Sequence, residues 1–140
     1  MNNQKIERTL EKINNLNNTT KTHTKTIYTA LNTVFEKLNS LDYTPGEIIT
    51  QETDFTYPGN GWGCECTLAL CMRRSGEVLI ARCGGGEIYN TIRLSAFETD
   101  RKELIAFTRA LPAFLEKIEA HLTALSTSQT QIITEMEIQP

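Results

Sequence analysis

Several features that usually announce a chemistry are missing from this chain. No apolar run approaches the roughly 20 residues of a membrane span, and the opening MNNQKIERTLEK lacks the apolar core of a secretory leader. The expectation is therefore a cytoplasmic protein with no membrane partner, whose thiols stay reduced. A surplus of positive charge is also absent: 14 Lys/Arg face 17 Asp/Glu, a net charge of −3. That argues against binding a nucleic acid polymer, which needs a basic excess to displace counterions. Histidine is scarce, with only His23 and His121, each in a helical stretch where an exposed position is the ordinary expectation. A Cys–His nucleophilic pair has no local support. The glycines of GGGE at 84–87 are not followed by the Lys-Ser/Thr of a phosphate loop, so they read as a turn. No catalytic constellation emerges, and the expectation is a non-enzymatic protein without a cofactor.

The four cysteines pose a separate question. Cys64, Cys66, Cys71 and Cys83 are spaced C-x-C-x4-C-x11-C, without the paired C-x2-C knuckles that make a zinc site specific. RRSGEV reads as a hairpin with Ser75–Gly76 as a two-residue loop. That loop sets Arg74 opposite Glu77, Met72 opposite Leu79, Leu70 opposite Ala81 and Leu68 opposite Cys83. Side chains alternate along a strand, so Cys64, Cys66, Leu68, Leu70, Met72, Leu79, Ala81 and Cys83 are expected on one apolar face. Cys71 is expected on the other. Thiolates divided between two faces cannot surround a tetrahedral ion, although a three-cysteine site from Cys64, Cys66 and Cys83 stays open. The expectation is buried free thiols acting as small hydrophobes, with no metal.

What the chain does contain is periodicity. Ile6, Leu10, Ile13, Asn17, Thr20, Thr24, Ile27, Leu31, Val34, Leu38 and Leu41 alternate steps of four and three, the seam of a helix that packs on another helix. The middle, NNLNNTTKTHTKT, is poor in helix formers, so residues 4–41 read as one helix or as a hairpin broken near Asn14–Thr20. Because the register survives across the break, one helix is the better reading. Four strand-like runs follow between residues 47 and 94, separated by PGNGWG, SG and GGG. A helical region over residues 96–138 carries a stripe of Leu104, Phe107, Leu111, Leu115, Ile118, Leu122 and Leu125. Pro112 should kink or restart it. Ser95 with Glu98, or Asp100 with Glu103, could cap its start. The pattern predicts one α+β domain over residues 1–140: a long N-terminal helix, a four-stranded antiparallel meander and a C-terminal helical region. Residues 1–41 are +3 and residues 42–140 are −6 (six basic against three acidic; eight against fourteen). With two long helices, this suggests an antiparallel pair or a bundle shared with other subunits, hence a homo-oligomer.

The polar complement of the sheet raises a ligand question. Arg73 and Arg82 are expected on the face opposite the apolar row, the face that also carries Cys71, with Tyr89, Asn90 and Arg93 in the last strand and Trp62 in the glycine-rich loop. Arginines for phosphates, aromatics for stacking and an amide for a base edge are what a nucleotide pocket needs. The plainer reading is that the arginines are solvated or paired with Glu65, Glu77 or Glu87. Arg109, on the polar side of the last helix, reads as a surface residue that could reach a neighbouring subunit.

CTLALCMRRSGEVLIARC followed by IRLSAFETDRKELIAFTRALPAFLEKI resembles, over residues 64–119, small phage-encoded proteins in which a hairpin precedes a helix with a charged start. Among these the chain looks most like the anti-Thoeris and anti-CBASS sponges. The resemblance implies an oligomer in the host bacterial cytoplasm that sequesters cyclic ADP-ribose isomers or cyclic oligonucleotides without turning them over. It also implies phosphate-gripping arginines, a stacking aromatic and a base-reading amide, for which Arg73, Arg82, Asn90, Arg93, Arg109, Trp62 and Tyr89 are of the right types. Two other readings stand beside it: a structural protein that docks a partner through its helical seam, and a zinc-binding regulator.

Overall fold

The computed structural model describes residues 2–58 and 65–137, without the side chains of residues 57 and 58. Helix α1 spans Asn3–Asn39 without interruption. Its polar middle stays helical because the threonine hydroxyls turn back onto the preceding turn: Thr19 donates to the Asn15 carbonyl, Thr22 to Asn18, Thr24 to Thr20 and Thr26 to Thr22. Asn2 caps its start, accepting the Lys5 amide at 2.9 Å. The single-helix reading holds.

Strands β1 (Ile49–Pro58), β2 (Glu65–Met72), β3 (Val78–Gly84) and β4 (Glu87–Ile92) form one antiparallel meander in that order. A short 3-10 turn, Leu94–Phe97, leads to helix α2, Arg101–Glu135. Asp100 occupies the cap position of α2 but makes no side-chain capping bond, so the expected capping box does not form. Helix α2 runs through Pro112 without a restart. Both helices lie on one face of the sheet, where Leu68, Leu70, Met72, Val78 and Ile80 meet Leu31, Phe35, Leu104, Phe107, Phe114 and Ile118. In α2 the inward position is Phe114, while Leu115 is 36% exposed, contrary to the expected stripe.

The hairpin register differs from the two-residue-loop expectation by one residue. Met72 faces Val78, Leu70 faces Ile80, Ala69 faces Ala81 and Leu68 faces Arg82. The loop is Arg74–Ser75–Gly76: the Arg73 carbonyl accepts the Gly76 amide at 2.8 Å, and the Arg73 amide donates to Glu77 at 2.8 Å. A two-residue type I′ loop would need positive φ at Ser75, yet Glu137 is the one such non-glycine among the described residues. Gly76 has φ +95° and supplies the left-handed residue that closes a three-residue loop. One residue of slip exchanges the faces. Val78 and Ile80 belong to the helix-covered core, whereas Leu79, Ala81 and Cys83 turn away from it.

The edges of the sheet carry two further irregularities. The β1–β2 register shifts between Glu52 and Thr56, where buried Thr53 donates to the Leu68 carbonyl at 2.7 Å and accepts the Phe55 amide at 3.1 Å. The β3–β4 register shifts between Arg82 and Cys83. That extra residue changes the parity of β4: Ile92 packs on the main core and Ile88 on the other face. Gly85 and Gly86, at φ +57° and +81°, form the connecting turn.

The two helices run in the same sense rather than as an antiparallel pair. Arg101, at the start of α2, donates to the Asn17 side chain at 3.0 Å. Tyr43, just past the end of α1, bonds His121 far along α2. The first part of α1 therefore extends beyond the sheet at one end, and the last part of α2 at the other.

Candidate functional site

Correcting the register relocates the thiols. Cys71 and Cys83 are buried with Ala69 and Ala81 in a small cluster on the face away from the helices, and Ile88 packs beside them. Cys71 lies away from Leu68, Leu70 and Met72 as the sequence suggested, but Cys83 lies there with it and not beside the leucines where it was expected. Cys66 is partly exposed, and Cys64 lies outside the described residues. Burial pushes the Cys71 thiol above the usual range, and the nearby Cys83 adds to this while Arg73 opposes it. Burial also raises Cys83, with a contribution from the Glu52 carboxylate. Such thiols are poor nucleophiles and poor metal ligands. Among the described residues no three His, Cys, Asp or Glu side chains gather closely enough to hold an ion.

The sequence-predicted ligand residues fall into separate groups. Arg73 donates to the Thr91 hydroxyl and lies 3.7 Å from Glu77. Because β3 separates β2 from β4, the Arg73 side chain crosses β3 on the face away from the helices. Leu79, 6% exposed, turns to that same face. Arg93 borders a cleft of about 280 Å³ with Asn32, Glu36 and Glu77. At the opposite end of the β3–β4 hairpin, Arg82 pairs directly with Asn90, and the Tyr89 ring, 58% exposed, lies against Gly84. Arg109 is exposed on α2. Trp62 lies outside the described residues. Arg82, Asn90 and Tyr89 thus come together, Arg73 and Arg93 each lie beside Glu77, and Arg109 joins neither group.

Two arrangements escaped sequence reasoning. His121 is not a solvated helix residue. Its Nδ1 bonds the Tyr43 hydroxyl, and its Nε2 lies 2.9 Å from a Glu47 oxygen. The pair clamps α2 to the segment leaving α1, and burial together with Glu47 raises the Tyr43 pKa. No local pattern could have joined residues so far apart in sequence. A cleft of about 390 Å³ also opens where α1 passes the start of α2, edged by Lys21, Lys25 and Arg101 with Glu98.

The largest unexplained feature is the exposed part of each helix. In α1 nothing before Thr24 is buried, and Ile6, Leu10, Ile13 and Leu16 are 39%, 58%, 56% and 61% exposed. In α2 nothing beyond Ile118 is buried, and Leu122, Leu125, Ile132 and Met136 are 38%, 43%, 51% and 64% exposed. Residues 3–16 alone make an arm about 20 Å long at 1.5 Å per residue. A bare helix of that length is marginal in water, since helix stability comes chiefly from packing an apolar face. No helix of the described residues is long and apolar enough to cross a membrane. No family model, curated protein or solved structure matches the chain.

Proposed function

We propose that the chain is a non-enzymatic assembly protein: the sheet and the packed halves of the helices are a scaffold, and the free halves dock onto other helices. The observation that carries this reading is the row of Ile6, Leu10 and Ile13, spaced four and three apart and left largely exposed on a continuous helix. Contiguous apolar surface of this kind marks an interaction site on a water-soluble domain, and the spacing is that of knobs entering the holes of a facing helix. The test is to replace Leu10→Asp and Ile13→Asp together, then measure particle mass and thermal unfolding. Both positions lie far from the buried cluster, so the reading expects association to be lost while the melting of the monomeric core is retained. A particle whose mass is unaffected by the double replacement sinks it.

A second reading is favoured by the pairing of Arg82 with Asn90 beside the exposed Tyr89. A cation, an amide and an aromatic face at one end of a hairpin suit an anionic nucleotide-type ligand, and the resemblance to sponge proteins points to cyclic ADP-ribose isomers or cyclic oligonucleotides. In this reading the protein sequesters the ligand and needs only affinity and copy number. Calorimetric titration with those compounds tests it, with Arg82→Glu as the variant expected to abolish binding. Absence of heat with every compound on folded protein removes this reading and leaves the first intact.

A further inference from the structure

We infer that the two free helical arms pair with each other between two copies of this chain, the α1 arm of one copy lying antiparallel to the α2 arm of its partner. This deepens the assembly reading above and rests on it, by naming the partner as a second copy. Within one chain the arms cannot meet. The Asn17–Arg101 and Tyr43–His121 contacts make the helices run in the same sense, so the arms leave opposite ends of the scaffold. A two-fold axis perpendicular to the helices reverses one copy. It thereby sets each α1 arm beside the partner's α2 arm, twice, in a closed assembly with no apolar stripe left over.

Charge favours this pairing over two copies of the same arm. The unburied part of α1, residues 3–23, carries Lys5, Arg8, Lys12 and Lys21 against Glu7 and Glu11, which is four minus two, or +2. Residues 119–137 carry Glu119, Glu135 and Glu137 with no Lys or Arg, or −3. Like arms would repel and unlike arms attract. The seams also mesh. Ile6, Leu10, Ile13 and Asn17 advance by four, three and four. Met136, Ile132, Gln129 and Leu125, read backwards along α2, recede by the same steps. Antiparallel helices therefore keep both rows facing over the overlap, with Ile6 set against Met136 and Leu10 against Ile132.

The test is light scattering on the full chain from micromolar to hundreds of micromolar, for wild type and two charge-reversed variants. One variant carries Lys5→Glu, Arg8→Glu and Lys12→Glu. The other carries Glu119→Lys, Glu135→Lys and Glu137→Lys. The pairing predicts a wild-type particle of twice 15.8 kDa. Each variant should dissociate about tenfold more readily at low salt, because both of its interfaces then join arms of like net charge. An equimolar mixture of the two should regain the wild-type mass, because both of its interfaces then join unlike charges. Circular dichroism melting confirms that the scaffold of each variant is folded. A monomer at every concentration overturns the inference. So does a dimer that the α2 variant leaves unchanged, since that is α1 pairing with itself; loss of that dimer in Leu10→Asp would keep the assembly reading while ending this one. A dimer that survives both Leu10→Asp and Leu125→Asp ends both.

Discussion

Gly76→Ala is the sharpest probe of the hairpin geometry on which the placement of every β2 and β3 side chain depends. Gly76 has φ +95°, and a methyl group there would land on the backbone carbonyl of Tyr43, with the Pro45 ring 3.9 Å away. Two costs add. Holding an alanine at positive φ costs about 1–2 kcal/mol. Forcing a methyl against a packed backbone costs about 1–3 kcal/mol in comparable overpacked sites. The gain from a stiffer unfolded chain offsets about 0.4–1 kcal/mol of this, leaving a net loss of about 2–4 kcal/mol. Gly85→Ala separates the two terms, because Gly85 has φ +57° but nothing within 4 Å of an added methyl. Its expected net change is about 1 kcal/mol or less by the same terms. Urea unfolding followed by far-ultraviolet circular dichroism, at one fixed protein concentration because association shifts the midpoint, measures the difference. If Gly76→Ala and Gly85→Ala agree within about 0.5 kcal/mol, the level at which surface substitutions scatter, then the close approach to Tyr43 is wrong. The three-residue loop and the face assignments built on it would fall with it.

Two other outcomes follow from single contacts. Asn39→Ala removes the side-chain oxygen that accepts the Val78 amide at 2.7 Å and ties the end of α1 to the start of β3. Urea unfolding should show a loss of about 1–3 kcal/mol, the cost of stranding a partly buried donor; a loss under 0.5 kcal/mol would mean that the amide finds water. Of the described thiols, partly exposed Cys66 should react first with a disulfide reagent at pH 8, while Cys71 and Cys83, raised by burial, react only on unfolding. Mass spectrometry of partially labelled peptides reads the order, and early labelling of Cys71 would contradict its burial among Ala69 and Ala81.

Element types were legible because periodicity carries them. The unbroken four-three seam announced a single α1, and four apolar runs with glycine punctuation announced the meander. The face assignments were less accessible because parity turns on one residue. Ser75–Gly76 can be read as the whole loop or as the end of Arg74–Ser75–Gly76, and only the backbone angle at Ser75 decides between them. The same holds at Tyr89, where an extra residue sends Ile88 and Ile92 to opposite faces. That is why the sequence placed Cys83 with the leucines and Ile80 with the arginines. Long-range polar pairs were hidden for a different reason: Tyr43, Glu47 and His121 meet through the parallel course of the helices, which no local pattern encodes. The candidate arginines could be named by type, but their division into two groups depends on strand order and on a side chain reaching across β3.

The direct measure of arm docking is hydrogen exchange of the amides in residues 6–16 and 122–135, compared between wild type and Leu10→Asp at high protein concentration. Docked arms predict slow exchange in both segments of the wild type and fast exchange in the variant, with the sheet amides unchanged. Equally fast exchange in both proteins would show that the apolar rows of the two helices are not covered, and would contradict the account at its centre.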